Sequence, residues 1–148
     1  MRAVWESMGR GFLDLVYPRD CAITGEPVEA GEFRYLSPVI ARRMVPIVRP
    51  YCPTCGHPIF GEAPDPPVCG HCTELAPVYR EGKCGYLLRG DIRELIHAFK
   101  YGGQRHLGPD LARLLVHVPG FVEYLTAGVL VPVPLHPRKQ RERGFDQV

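Results

Sequence analysis

The sequence lacks any long hydrophobic run. No stretch approaches the roughly 20 apolar residues that a membrane-spanning helix needs. Residues 1–17 interrupt their apolar content with Arg2, Glu6, Arg10 and Asp14, so no secretory hydrophobic region is expected and no membrane span is foreseen. A strong charge of either sign is also missing. The formal net charge of +2 is too weak by itself to specify nucleic acid or an anionic membrane surface as partner. With no export signal, the expected compartment is a reducing cytoplasm, where paired cysteines favour metal over disulfides. What remains is an ordinary globular composition, 45% hydrophobic and 23% charged, over 148 residues, enough for one domain or two small ones. Proline and glycine are plentiful at 16 each, and much of that load falls in the cysteine-rich part, where it predicts short irregular structure.

Four of the six cysteines form two hooks, Cys52-Pro53-Thr54-Cys55 and Cys69-Gly70-His71-Cys72, separated by residues 56–68. This is close to zinc-ribbon spacing. Tetrahedral Zn²⁺ takes four thiolates at about 2.3 Å, and a two-residue spacer lets one tight turn present two sulfurs. Gly56 allows the backbone to fold over the first hook. The turn-rich segment from Gly61 to Pro67 reads as the loop between hooks. Structural zinc on Cys52, Cys55, Cys69 and Cys72 is expected, the alternative being unligated or disulfide-bonded cysteines. His57 and His71 lie beside the hooks, but four thiolates already complete the shell. Cys84 reads as a small buried apolar residue. Cys21-Ala22-Ile23-Thr24-Gly25 has the shape of a further knuckle with Thr24 in the second cysteine position. No cysteine follows until Cys52, so this knuckle is expected to pack without metal, with Cys21 either buried or a remnant ligand.

Elsewhere the pattern alternates helices and strands. Val4, Trp5, Met8, Phe12, Leu15 and Val16 recur at helical steps until Pro18 stops them. Lys83 to Leu88 reads as a short strand. Asp91 with Glu94 resembles a capping box, and Ile92, Leu95, Ile96 and Phe99 fall on one helical face closed by Gly102-Gly103. A second helix opens at Pro109 and buries Leu111, Ala112, Leu114 and Leu115. Phe121 to Leu125 supplies another turn or two. Val129-Leu130-Val131-Pro132-Val133-Pro134-Leu135 is a continuous apolar run, expected as a strand buried on both faces of a parallel sheet. It leads into a basic, glycine-containing loop. Arg138, Lys139, Arg141 and Arg143 there suit a phosphate or pyrophosphate group, or else form a solvated basic loop. Arg42, Arg43 and Arg49 offer further phosphate contacts, while Tyr51 and Phe60 either stack bases or pack around the metal loop.

Taken together these segments resemble the ComF family, competence-protein relatives of type I phosphoribosyltransferases. The likeness rests on Leu13 to Cys21, on the two complete hooks, on Ile92 to Gly103 with its Lys100-Tyr101-Gly102 turn, and on Val131-Pro132-Val133-Pro134-Leu135 through Arg143-Gly144-Phe145-Asp146-Gln147. It implies fold class α/β: an N-terminal helix over 1–20, a zinc-ribbon region over 21–80 with a degenerate first knuckle, and over 81–148 the N-terminal part of a phosphoribosyltransferase-like parallel-sheet domain. The family association with DNA uptake implies contact with single-stranded DNA or a helicase partner.

The departures from that pattern matter as much. Thr24 replaces a family cysteine, and Asp146 stands where the family has Asn, placing a negative charge beside Arg143. Relatives continue into an acidic pair and a Thr-Thr-Gly turn that cradles the phosphate of phosphoribosyl pyrophosphate on helix N–H groups. No Asp-Asp, Asp-Glu or Glu-Asp pair occurs in this sequence. The resemblance therefore implies a chain that is truncated before that loop and lacks transferase turnover, with Mg²⁺ relevant only if a complete transferase site is formed. An unfinished sheet would also leave strand edges through which the chain self-associates.

Overall fold

The computed structural model describes residues 19–62, 65 and 67–145. The helix expected over 1–20 falls almost wholly on residues 1–18, outside the described residues, as do Asp146 and Gln147.

Two knuckles set the backbone of the first half, and they are built alike. In the first, Cys21 N–H donates to the Glu26 carbonyl at 2.8 Å, Gly25 N–H to Cys21 at 2.8 Å, and Val28 N–H to Arg19 at 2.6 Å. In the second, Cys52 N–H donates to His57 at 2.8 Å, Gly56 N–H to Cys52 at 2.9 Å, and Ile59 N–H to Pro50 at 3.0 Å. Isolated antiparallel bridges, Asp20–Pro27 and Tyr51–Pro58, close the two turns. Each turn needs one residue in the left-handed region, and glycine supplies it, with φ of 71° at Gly25 and 72° at Gly56.

A short helix follows each knuckle. Helix α1, Pro38–Arg43, is capped by Ser37, whose hydroxyl accepts the Val39 N–H at 3.3 Å, and Pro38 fits the first turn. Helix α2, Gly70–Leu75, starts at Cys69. The longest helix, α3, spans Gly90–Tyr101 and buries Ile92 and Leu95 on the face the periodicity indicates. The capping box is not formed. Arg89 occupies the cap position, and Asp91 sits in the first turn, where its carboxylate pairs with Arg43 Nε at 3.1 Å. A 3-10 turn, Arg105–Leu107, leads into α4, Gly108–Val116, then α5, Phe121–Thr126, and α6, Pro137–Arg143.

The core joins the first knuckle to the helices. Cys21, Val28, Phe33, Leu36, Ile40 and Met44 pack in one cluster with Ile92, Leu95, Leu107 and Leu114. Each fully buried aliphatic side chain contributes about 1.5–3 kcal/mol. Asp110 locks the arrangement. It is 1% exposed, accepts the Arg34 N–H at 3.1 and 3.0 Å and the Tyr35 N–H at 2.7 Å, and pairs with Arg113 Nη1 at 3.1 Å. A carboxylate on α4 thus satisfies loop amides that no helix or sheet would serve.

The expected α/β architecture is not observed. Among the described residues there is no strand, only three isolated bridges, so no parallel sheet exists there. Lys83 to Leu88 contributes a single bridge, Tyr86 with Pro46. The apolar run from Val129 to Leu135 has no regular structure, and Val129, Val131 and Val133 are 90%, 80% and 79% exposed. An apolar run becomes a buried strand only when neighbouring strands pair with it, and no described strand or bridge does so. Pro132 and Pro134 remove donors as well. Without a sheet among the described residues, the anticipated route to self-association has no strand edge there to use.

Substituting Asp110→Ala should destabilise the fold by about 3 kcal/mol, because it orphans buried N–H groups and removes the partner of Arg113. Asp110→Asn, which keeps an acceptor, should cost less. Denaturant melts of the two variants check this ordering.

Candidate metal centre

The second knuckle turn brings Cys52 and Cys55 to one side of the backbone. Cys69, at the start of α2, and Cys72, in its first turn, supply the other two sulfurs. The four sulfurs all lie within 4.8 Å of one another. Cys55 Sγ and Cys69 Sγ are 3.6 Å apart, close to the edge of about 3.8 Å that a tetrahedron with 2.3 Å metal–sulfur bonds requires. The donor set and spacing fit structural zinc. Cys52 and Cys72 are buried, Cys55 and Cys69 half-buried.

Crowding without a cation drives the acidities of Cys52, Cys55 and Cys72 apart. Burial alone would raise the Cys52 thiol, but N–H groups of Cys69, Cys55 and Thr54 aimed at its sulfur bring it down to about 6. The Cys69 N–H lies 3.4 Å from that sulfur. At Cys55 the His57 N–H pulls downward, yet burial and the neighbouring sulfurs outweigh it and the thiol is raised. Burial, reinforced by the other three sulfurs, pushes Cys72 up to about 12. The Cys52 thiolate forms readily and then opposes ionisation of Cys55 and Cys72. A divalent cation at the centre reverses that opposition and holds all four deprotonated.

The backbone of residues 82–84 crosses over the first hook. Gly82 N–H donates to the Thr54 carbonyl at 2.6 Å, and a Cβ on Gly56 would meet Cys84 N at 2.8 Å and Gly82 O at 3.0 Å. Lys83 Nζ reaches the Gly120 carbonyl at 2.6 Å, fastening this crossover to the start of α5. His57 and His71 stay outside the sulfur cluster, and their rings stand edge to face with centroids 6.2 Å apart. Cys84 is exposed rather than buried, its Sγ 3.6 Å from the Cys55 carbonyl. Cys21 is buried in the apolar core and belongs to no sulfur cluster among the described residues.

Residues 12–73 match the family of the double zinc ribbon domain. The part of that ribbon region carrying Cys52, Cys55, Cys69 and Cys72 thus combines a recognised pattern with a geometry suited to the metal. No curated protein and no solved structure matches the chain.

The basic segment after the apolar run is α6 rather than a loop. His136 Nδ1 caps it by accepting the Arg138 N–H at 3.2 Å. Arg138 Nε and Lys139 Nζ both pair with Glu142, at 3.0 and 2.9 Å. Those two hydrogen bonds, Lys139 first, lower the Glu142 carboxyl below its usual range. Arg143 lies over the Tyr101 ring at 4.8 Å. Arg138, Lys139, Arg141 and Arg143 therefore share one short helix, with a carboxylate among them. No described helix is long and apolar enough to cross a membrane. Sequence reasoning missed Asp110 and Lys83. A lone Asp after Pro109 reads as a first-turn acid, and only the fold reveals the loop amides it serves.

Chelation should expose the amides of Cys52, Gly56, Thr73 and Ala76 to hydrogen exchange while those of Cys21, Gly25, Val28 and Ala41 stay protected. Zinc uptake must expel the protons held on Cys55 and Cys72. Affinity should therefore rise with pH and zinc should be released on acidification, as read by competition with a chromophoric chelator at two pH values.

Proposed function

We propose that this chain is a ComF-like binding protein whose metal-stabilised ribbon presents a surface for single-stranded nucleic acid. The observation that carries the reading is Phe60, an aromatic beside the metal loop that is 80% exposed. Arg49 and Phe60 line the same groove of about 270 Å³, together with apolar residues such as Val45 and Val48. The Arg49 guanidinium lies 5.8 Å over the Tyr51 ring. An exposed ring, a second ring covered by a guanidinium and apolar walls are the parts of a stacking platform that tolerates any base. A cationic charge beside it attracts the backbone.

A different set of residues weighs against a pyrophosphate site on α6. Glu142 takes up Arg138 and Lys139, and an anion approaching them must displace or oppose that carboxylate. A helicase partner would use the same exposed groove and would leave free single strands unbound.

Fluorescence anisotropy with a labelled oligothymidine tests the reading. Affinity should fall as salt rises, with a slope of about −0.7 for each phosphate neutralised. Phe60→Ala should weaken binding about tenfold with zinc content unchanged. Absence of binding at low salt, or an unaffected Phe60→Ala variant, rejects it.

A further inference from the structure

The likeness of the two knuckles continues past the turns, into residues whose sequence shows no likeness at all. Cys69 N–H points at Cys52 Sγ from 3.4 Å, and Ser37 N–H points at Cys21 Sγ from 3.5 Å. Cys69 caps α2 from an extended conformation, φ −70° and ψ 157°. Ser37 caps α1 from φ −61° and ψ 138°, and both helices have 6 residues. One turn further on, Cys72 is 7% exposed and Ile40 is 3% exposed. Ser37 and Ile40 therefore occupy the places that the second hook fills in the metal ribbon, and Thr24 occupies the place of Cys55.

This set cannot hold zinc as the other does. It offers one thiol, two hydroxyls and an alkyl group in place of four thiolates. The hydroxyls are already engaged, Ser37 Oγ with the Val39 N–H and Thr24 Oγ1 with the Glu26 N–H, each at 3.3 Å. Ile40 and Cys21 pack in the apolar core with Leu36 and Met44. The name of the matching family speaks of two zinc ribbons, and these residues disagree with it.

We propose that the first ribbon is a metal-free copy of the second, in which burial of Ile40 against Cys21 replaces the ion. The chain then holds one zinc, on Cys52, Cys55, Cys69 and Cys72. The first ribbon keeps the turn, the extended cap and the N–H aimed at sulfur that the metal ribbon has, so cysteine at positions 24, 37 and 40 restores the missing ligands.

Metal analysis of the zinc-saturated, desalted full chain decides the matter. The unsubstituted chain should carry one equivalent. Cys21→Ala should also carry one, because its sulfur binds nothing. The triple variant T24C/S37C/I40C should carry two, and its cobalt form should show twice the thiolate-to-metal absorption. Two equivalents in the unsubstituted chain, or loss of zinc in Cys21→Ala, overturns the proposal. So does a triple variant that folds, by circular dichroism, yet stays at one. Should the triple variant fail to fold, the first two measurements still decide whether the first ribbon is metal-free.

Discussion

Four sulfurs pressed together repel one another once they ionise, and a single divalent cation turns that repulsion into attraction. The second ribbon depends on this reversal. Among the described residues between 45 and 76 the buried apolar side chains are Ile47 and the cysteines Cys52 and Cys72 themselves. So small a core cannot offset the conformational entropy of ordering a proline- and glycine-rich segment. The free energy of metal binding becomes the free energy of folding in such a unit. The hydrogen bonds around the sulfurs orient them but do not replace the ion.

The other half of the molecule is held by a different means. Its knuckle shares a continuous apolar cluster with α3 and α4, and the Asp110 carboxylate satisfies the amides of Arg34 and Tyr35 across that boundary. One backbone design thus survives on two kinds of force, coordination in one copy and burial with a buried acceptor in the other. Between them, the crossover at residues 82–84 ties the metal ribbon to the helical part through Lys83 and Gly120.

How much of this was legible in the sequence depends on the range of the interaction. The hooks were, because metal coordination imposes local spacing on Cys52-Cys55 and Cys69-Cys72. So was the buried face of α3, because Ile92, Leu95, Ile96 and Phe99 repeat with the helix itself. The parallel sheet was not a sound reading. Val129 to Leu135 has strand-like composition, but a strand exists only with a partner, and partnership is not encoded in the run itself. The basic segment showed its charge, yet its helical form brings Glu142 between Arg138 and Lys139, which changes what those cations attract. Asp110, the role of Ser37 and the place of Ile40 were hidden because their meaning comes from segments far away in the chain.

The two glycines that make the knuckle turns share a backbone angle but not a neighbourhood. A side chain at Gly56 collides with the backbone of residues 82–84, whereas around Gly25 nothing lies within 4 Å. Replacement at Gly25 meets only torsional strain. Replacement at Gly56 meets strain and collision together, beside sulfurs that must keep their directions. Position 25 can thus take a side chain without displacing any other segment, whereas at position 56 the crossover backbone would have to move away from the metal loop.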